Sequence, residues 1–317
     1  MIRWMSDKSV GRLALVGLLA LLVVDALLVA LAFRPGAAEA SAPTPTPVPA
    51  ATSTAGATTS TSTSTALSVT PARPLTEAIA AVDGKRAWRA TLGTCSQGGS
   101  DLSVTDDGGK TWTKRSAGAA ALGRVQPVDA TRGFVIGAPK SCSAGEYATD
   151  DDGQTWRGPR AIDGGWSRVP GGDQPTLVIT PKRPDARPCG GAAVVDLARI
   201  SASRAVAACA DGRLVRSTDG GSRWSALATV QGLLAVSARE ENGSPAVYVA
   251  RTVDGCAGVE IAAVGDKGTS RVACVTTLVE GAEGRVSLSV VDDAGWLAVA
   301  DATWRSGTDL KSWSETA

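Results

Sequence analysis

Histidine is absent from this chain of 317 residues, which also has only two tyrosines, two phenylalanines and two methionines. Without histidine, the chain lacks the commonest general base, the usual zinc and copper ligand, and every Ser-His or Cys-His nucleophile. The six cysteines form no Cys-x-x-Cys pair. The sequence therefore predicts no catalytic residues, no metal site and no cofactor of the familiar kinds.

A strong charge of either sign is also absent, since 32 Lys and Arg residues stand against 31 Asp and Glu residues. No basic stripe is interleaved with aromatic side chains, and no glycine-rich phosphate loop precedes a helical pattern. The sequence therefore predicts that nucleic acid is not a partner.

One short pattern, Ser/Thr-x-Asp-x-Gly-x-x-Trp, occurs three times along the chain. It reads TDDGGKTW at residues 105–112, TDDDGQTW at 149–156 and STDGGSRW at 217–224, each time after a strand-like stretch. A motif that recurs in this way is typical of a repeat architecture. A pattern present in every repeat is also more often part of the scaffold than of a reaction centre.

The chemistry of the motif favours a structural role. An aspartate two residues before a glycine can fold its carboxylate onto backbone N–H groups and close a turn. The glycine then supplies a positive φ, and the tryptophan begins the next strand with a large buried ring. We interpret nine residues as turn and packing residues: Asp107, Gly109, Trp112, Asp151, Gly153, Trp156, Asp219, Gly221 and Trp224.

These three motifs resemble the Asp-box (BNR) repeats of sialidase-like β-propellers, a superfamily that includes the photosystem stability and assembly factor-like and VPS10-like branches. The resemblance implies an all-β propeller. It also implies that each box forms the turn between the third and fourth strands of a blade, on the face away from the ligand.

The N-terminal quarter is unlike the rest. Residues 13–33 are apolar except for Asp25, and Arg3, Lys8 and Arg12 precede them. This length and charge pattern predicts a single transmembrane signal-anchor helix after a cytoplasmic tail at residues 1–12. The protein would then be a single-pass protein of the cell membrane with its propeller outside. A cleaved signal peptide is the alternative, since Ala-Glu-Ala at 38–40 resembles a cleavage site.

Residues 34–72 are rich in Ala, Thr, Ser and Pro, and this composition predicts a disordered stalk. Residues 73–317 are then the propeller. Five blade-like stretches are visible in it, the fourth with a degenerate box, and a sixth, incomplete blade around residues 166–180 is left open. The five stretches are residues 77–112, 124–156, 192–224, 245–275 and 286–313.

Six cysteines in a domain outside the cytoplasm indicate three disulfides. Six cysteines allow fifteen connectivities. The positions of the cysteines within the blades favour one of them, in which Cys95 pairs with Cys142, Cys189 with Cys209 and Cys256 with Cys274.

The resemblance leaves two hypotheses for function. A sialidase-like glycoside hydrolase would need an Arg-Ile-Pro-like motif before the first box, three separated arginines for the substrate carboxylate, and a tyrosine nucleophile with a glutamate partner. No such motif is present, and the sequence predicts that Tyr147 and Tyr248 pack inside the fold. We therefore favour a non-catalytic binding or assembly module for a protein or a cell-envelope glycan, with the hydrolase as the alternative.

The repeat lengthens at residues 157–191, and insertions in repeat folds often emerge on the binding face. We expect an exposed ligand site there, in which replacing Trp166 and Arg168 together leaves the melting temperature nearly unchanged. The alternative is a solvated insertion whose tryptophan packs on its own blade. The candidate binding residues are Arg157, Arg160, Trp166, Arg168, Lys182, Arg183 and Arg187.

Overall fold

The computed structural model describes residues 72–316 of the chain. The predicted cytoplasmic tail, the predicted transmembrane helix and the predicted stalk up to residue 71 lie outside the described residues. Every regular element between residues 72 and 316 is a strand, and that part of the chain contains no helix with the length and apolar character needed to cross a membrane.

The strands form five four-stranded antiparallel sheets and one two-stranded sheet. Each four-stranded sheet consists of consecutive strands, and we call these sheets blades one to five: β1–β4, β5–β8, β11–β14, β15–β18 and β19–β22. The first ten strands are β1 (Glu77–Ala81), β2 (Ala87–Thr91), β3 (Asp101–Thr105), β4 (Thr113–Arg115), β5 (Ala121–Pro127), β6 (Gly133–Ala138), β7 (Gly145–Thr149), β8 (Arg157–Arg160), β9 (Ser167–Arg168) and β10 (Val178–Ile179).

The remaining strands are β11 (Val194–Arg199), β12 (Ala205–Cys209), β13 (Arg213–Ser217), β14 (Ser225–Thr229), β15 (Leu233–Glu241), β16 (Ser244–Arg251), β17 (Gly258–Gly265), β18 (Gly268–Thr276), β19 (Val286–Val290), β20 (Gly295–Val299), β21 (Ala302–Ser306) and β22 (Trp313–Glu315).

The first strand of each blade lies at the centre of a closed ring. Strand β1 packs beside β5, β11 beside β15, β15 beside β19, and β19 returns to β1. Between β5 and β11, the inner position is taken by β9. The predicted all-β, five-blade propeller is confirmed, and the two-stranded sheet of β9 and β10, which we call the reduced blade, fills a sixth place in the ring.

The second strands are enclosed on both sides because each blade is sandwiched between its neighbours. Every residue of AVAAC in β12 and of GWLAV in β20 is buried. A continuous apolar run of this kind suits a strand that has no solvent-facing side. The inner strand β1 instead alternates, with Ile79 in the core and Ala78 and Ala80 turned toward the axis of the ring.

Tryptophan pairs join three of the blade junctions. Each motif tryptophan packs edge-on against a tryptophan of the preceding blade, with ring centroids 5.8 to 6.3 Å apart. Edge-to-face contact at this distance is a favourable geometry for aromatic pairs. The pairs are Trp156 with Trp88, Trp112 with Trp296, and Trp224 with Trp166. The reduced blade is therefore held by the same device as the full blades.

The repeated motif forms the turn between the third and fourth strands in blades one, two and three. In blade one, Asp107 accepts hydrogen bonds from the Thr105 hydroxyl at 2.9 Å and from the N–H of Thr111 at 3.0 Å. The N–H of Gly109 donates to the Thr105 hydroxyl at 3.0 Å. The Thr111 backbone and hydroxyl donors lower the pKa of Asp107 to about 2. The same contacts recur around Asp151, Gly153, Asp219 and Gly221.

The structure contains the three disulfides that the sequence analysis predicted. One joins blades one and two, one lies at the first two strands of blade three, and one lies within blade four. They are Cys95–Cys142, Cys189–Cys209 and Cys256–Cys274.

Serine hydroxyls join neighbouring inner strands. Where β19 meets β1, the N–H groups of Ile79 and Ala81 donate to the hydroxyls of Ser287 and Ser289, both at 3.0 Å. We call this junction the seam, because it brings the last blade against the first. Ser237 of β15 accepts in the same way from the N–H of Val290, at 2.8 Å.

Candidate functional site: a channel along the ring axis

The inner strands surround a channel of about 440 Å³. This volume lies within the range of about 300–1,000 Å³ that is common for small-molecule sites. Its lining comes from all six inner strands, so that no single blade forms the site alone. The walls differ sharply in charge from one side to the other.

One side of the channel carries three arginines from three successive inner strands. Arg124 lies on β5, Arg168 on β9 and Arg199 on β11. We call these three residues the cationic wall. Asp196 of β11 is the acidic residue beside them, and its two oxygens accept the N–H of Leu197 at 2.8 Å and of Val236 at 3.0 Å.

The guanidinium groups of the cationic wall contact backbone oxygens rather than carboxylates. Arg124 donates to the carbonyl of Trp166 at 2.7 Å and also to the Gln126 side chain. Arg168 donates to the carbonyl of Leu75 at 2.8 Å. Within residues 72–316, no arginine of the cationic wall forms an ion pair. Each guanidinium has five N–H donors, so several remain available in the channel.

Burial and mutual repulsion shift the pKa values of this group. Burial, together with the charge of Arg199, lowers the pKa of Arg124 to about 9, and burial also lowers the pKa of Arg168. Burial raises the pKa of Asp196, and the Val236 N–H and the nearby arginines oppose that rise. The lowered pKa values of the two arginines and the raised pKa of the aspartate are the changes expected when burial removes solvent from a charged group. Arg124 still carries its charge at neutral pH.

Away from the mouth, the opposite side of the channel is lined by small, uncharged side chains. Ala78 and Ala80 of β1, Ala238 of β15 and Ser289 of β19 line it. We call these four residues the neutral wall. Their size leaves the centre of the ring open in front of the arginines.

Gly123 makes room for the cationic wall. It lies at a bulge of β5, where the register shifts between Leu122 and Arg124. A Cβ at this position would come within 2.2 Å of the Arg168 carbonyl oxygen. Only a glycine therefore lets the backbone of β9 approach β5 this closely, next to Arg124.

One end of the channel is crossed by residues 72–76, which lead into β1 and which we call the lead-in segment. The N–H of Leu75 donates to Val195 of β11, across the ring, at 3.0 Å, and the N–H of Thr76 donates to Gly284 at 2.7 Å. The Leu75 carbonyl receives the bond from Arg168, and Leu75 is 5% exposed. This segment covers the end of the channel that lies opposite the motif turns.

The other end, on the same face as the motif turns, is the mouth. Arg239 and Glu240 of β15 and Asp292 after β19 line it. These groups are paired, because Arg239 contacts Asp292 at 3.0 Å and Glu241 at 2.7 Å, and Glu240 contacts Arg204 at 2.6 Å. Because the charges at the mouth are paired, the cationic wall is the charged surface of the channel with hydrogen-bond donors to spare.

The structure does not bring the sequence-predicted binding residues together. Arg157 and Arg160 lie exposed on β8, the outer strand of blade two. Arg157 pairs with Asp150 at 2.5 Å, and Arg160 pairs with Glu146. They border a separate concavity of about 250 Å³ on the outside of that blade.

Three further candidates lie after the reduced blade. Lys182 lies beside Gly220 of the third motif turn, Arg183 is 3.8 Å from Asp185, and Arg187 donates to the Thr176 hydroxyl at 2.8 Å. None of them lines the channel.

The expected exposure of Trp166 is wrong. Trp166 is 1% exposed, and its indole N–H donates to the carbonyls of Ser201 at 3.1 Å and Ala202 at 3.2 Å. It packs against Trp224 at the junction between the reduced blade and blade three. The sequence analysis favoured an exposed insertion and left open an incomplete sixth blade around residues 166–180, and the segment forms such a blade in the ring. Arg168 is the one candidate of that segment whose side chain faces the channel.

The sequence analysis missed Arg124, Asp196 and Arg199. Each is a charged residue in an inner strand that is otherwise apolar or small, in ALGRVQP of β5 and VVDLAR of β11. An inner strand has one face in the core and one on the axis, so a charge within it points to the axis. The charged residues within these strands could therefore have predicted the lining of the channel from the sequence.

Neither tyrosine of the chain lines the channel. Tyr147 is 6% exposed in the core between blades one and two, where burial raises its pKa, and Tyr248 packs against the core of blades four and five. Within residues 72–316, no group of three or more Cys, Asp or Glu side chains is placed to hold a metal ion.

The sequence matches no protein-family model and no curated protein sequence. Several solved structures are similar at low identity. YCF48 from Cyanidioschyzon merolae is 14% identical, with 76% of this chain and 85% of that chain covered and a TM-score of 0.37. The SapL1 lectin, solved with alpha methyl fucoside, is 12% identical, with 78% and 96% covered and a TM-score of 0.44. The GH74 enzyme of Niastella koreensis is 12% identical, with 75% and 37% covered and a TM-score of 0.28.

Proposed function

We propose that this protein is a non-catalytic binding module whose ligand, a protein or a cell-envelope glycan, enters the channel from its mouth. The observation that carries the proposal is the channel itself. It is covered at one end by the lead-in segment, it has room for a terminal group of a larger ligand, and its cationic wall has no ion-pair partner within residues 72–316. Side chains around a propeller axis can vary without disturbing the sheets, which suits the fold to binding.

The finer family assignment is part of this proposal. Motif turns built on Asp107, Asp151 and Asp219, each followed by a packed tryptophan, support placing the chain among the Asp-box propellers. The contacts of these aspartates lie within their own turns. Their role is therefore to shape the scaffold. They lie on the face where the channel opens, whereas the resemblance implied a ligand on the opposite face.

The membrane arrangement also belongs to the proposal. The apolar residues 13–33, the basic residues before them and the Pro- and Thr-rich stretch that follows support a single-span anchor and a stalk. The propeller would then act outside the cytoplasm. Its three disulfides fit an oxidising compartment.

The alternative function is sialidase-like glycoside hydrolysis. Three arginines on separate strands do meet in the channel, which is one of the features that the resemblance to true sialidases would require. The tyrosine nucleophile of that family has no counterpart there, since Tyr147 and Tyr248 lie elsewhere. The three arginines favour a site for an acidic group, and the missing nucleophile favours binding over hydrolysis.

A channel-blocking variant tests the proposal. The full chain in detergent micelles is screened on a glycan array and cross-linked to cell-envelope proteins, beside Ala238→Phe, which fills the channel from the neutral wall. Ala226→Phe, on the exposed outer strand β14, is the matched control. We expect binding by the wild type and the control and none by Ala238→Phe. Equal binding by both variants would place the ligand outside the channel. Release of fluorophore from a fluorogenic sialoside would show instead that the protein is a hydrolase.

A further inference from the structure

The cationic wall carries more positive charge than the protein itself neutralises. Three arginines line the channel beside the carboxylate of Asp196. Arg124 and Arg168 are partly buried, and Arg199 is exposed. Both oxygens of the Asp196 carboxylate already accept backbone N–H groups. Charged groups that lose solvent are normally paired, because each loses the stabilisation that water provides. The charged groups at the mouth are paired even though their carboxylates are exposed, whereas within residues 72–316 neither Arg124 nor Arg168 has a carboxylate partner.

Backbone contacts hold these guanidiniums in place without neutralising them. The carbonyls of Trp166 and Leu75 each take one donor, from Arg124 and Arg168, and Gln126 takes a second from Arg124. Because the lead-in segment and β9 supply these carbonyls, the arginines are fixed before any ligand arrives. A fixed, forked donor set is the arrangement that recognises carboxylate and phosphate groups.

From this geometry we infer that the cationic wall binds an oxyanion, a carboxylate or a phosphate, at the end of a ligand that enters through the mouth. Arg124 and Arg168 bind it directly, and Arg199 supports it from the mouth side. The inference rests on the proposed function, since it names the ligand chemistry of the same channel. The neutral wall then accommodates the uncharged part of the ligand.

The test uses the full chain in detergent micelles at low ionic strength, with probe pairs that differ only in charge. Binding is measured by calorimetry for glucuronate against glucose, for a short peptide with a free C-terminal carboxylate against its amide, and for glucose 6-phosphate against glucose. We expect the charged member of at least one pair to bind and the neutral member not to bind. Which pair responds tells whether the source is an acidic sugar, a peptide terminus or a phosphate.

The decisive variant is Arg124→Gln with Arg168→Gln. We expect its affinity for the charged probe to fall by at least about 30-fold, which corresponds to losing charge-assisted hydrogen bonds in a site with little water. The matched control is Arg132→Gln with Arg213→Gln, which removes the same charge from exposed ion pairs outside the channel. The control should retain wild-type affinity. Thermal melting of both variants shows whether they remain folded.

A variant that is expected to bind more tightly tests the inference in a way that misfolding cannot imitate. Asp196→Asn removes the negative charge beside the cationic wall, so we expect charged probes to bind about tenfold more tightly. Unchanged or weaker binding by folded Asp196→Asn would count against the inference.

Failure of the inference and failure of the proposed function give different results. If charged and neutral probes bind equally, and Ala238→Phe abolishes both, the channel is the ligand site but does not recognise an oxyanion. If no probe binds the wild type while Ala238→Phe still loses a ligand from the screen, the inference fails and the proposed function stands. If Ala238→Phe changes nothing in either experiment, both fail.

Discussion

The cationic wall and the neutral wall lie on strands that hold equivalent places in the ring, yet the two sides are joined in different ways. On the neutral side, the Ser237, Ser287 and Ser289 hydroxyls accept N–H groups from the next inner strand. On the cationic side, a carboxylate, Asp196, accepts the N–H of Val236 in this way, and Arg124 and Arg168 donate to backbone carbonyls. A small hydroxyl group is long enough to bridge two inner strands that lie close along their length.

The difference follows from the reduced blade. Strand β9 has only two residues in its ladder with β10, so it leaves backbone groups near the axis that no sheet satisfies. Arg124 reaches one of these groups, the Trp166 carbonyl, and brings its charge into the channel as it does so. Arg168 donates to the Leu75 carbonyl, in the segment before β1. The shortened blade thus leaves backbone acceptors that need side-chain donors, and the arginines that supply these donors form a candidate binding surface.

The strongest way to break this comparison is to remove the tryptophan of the reduced blade. We expect Trp166→Ala to lower the free energy of unfolding by about 3–5 kcal/mol, because a fully buried ring leaves a cavity. Trp296→Ala in blade five is the matched variant, since Trp296 is 0% exposed and holds the equivalent place beside Trp112. Urea denaturation of both measures the effect. A much smaller loss for Trp166→Ala would show that the reduced blade is a surface insertion.

The inter-blade disulfide comes next in size. Replacing Cys95 and Cys142 by serine should lower the free energy of unfolding by about 2–4 kcal/mol. Cys95 also packs against Gly171, just after β9, so the loss should loosen the cationic side in particular. The matched variant replaces Cys256 and Cys274, whose bond lies within blade four. Denaturation and probe binding of both variants check this, and equal effects on binding would contradict it.

Ser289→Ala should have a smaller effect, confined to stability. It removes the acceptor of the Ala81 N–H at the seam, and a lost acceptor of this kind costs about 1–3 kcal/mol. Binding of the charged probe should change little, because the substitution leaves the arginines in place and keeps the neutral wall small and uncharged. The comparison is sharpened if Arg168→Gln shows the reverse pattern, with lost binding and a modest change in melting temperature.

Acid sensitivity should be shared by both sides of the ring. Hydrogen bonds from the Thr155 hydroxyl and N–H lower the pKa of Asp151 to about 2, and those from Thr111 do the same for Asp107. A depressed carboxylate pKa stabilises the folded state above the ordinary value of 3.8, and that contribution is lost as the pH falls toward 2. The stability differences between wild type and Asp107→Asn or Asp151→Asn should therefore shrink together between pH 5 and about pH 2. A difference that stays constant with pH would contradict the assigned contacts.

The repeated motif and the cysteine positions allowed the propeller, most of its blade boundaries and the disulfide pairing to be predicted, because strand-turn-strand patterns and tryptophan spacing are local features. The predicted fourth stretch, residues 245–275, left out the inner strand β15 (Leu233–Glu241). The reduced blade was harder to recognise, since two-residue strands leave no periodicity in a sequence. Trp166 was placed on the surface for that reason. The cationic wall depends on which strands meet at the axis, a long-range property. Only the charges within the otherwise apolar strands β5 and β11 indicated it.

The seam has a consequence for how the ring opens. No strand is exchanged between the first and last blades, since each blade consists of four consecutive strands. Blade five therefore meets blade one largely through side chains, without a backbone ladder between them. These contacts include the Ser287 and Ser289 hydroxyls, the contact of Trp112 with Trp296 and the ion pair of Arg285 with Glu77. Separation there would leave every sheet intact and would turn the closed ring into an open arc.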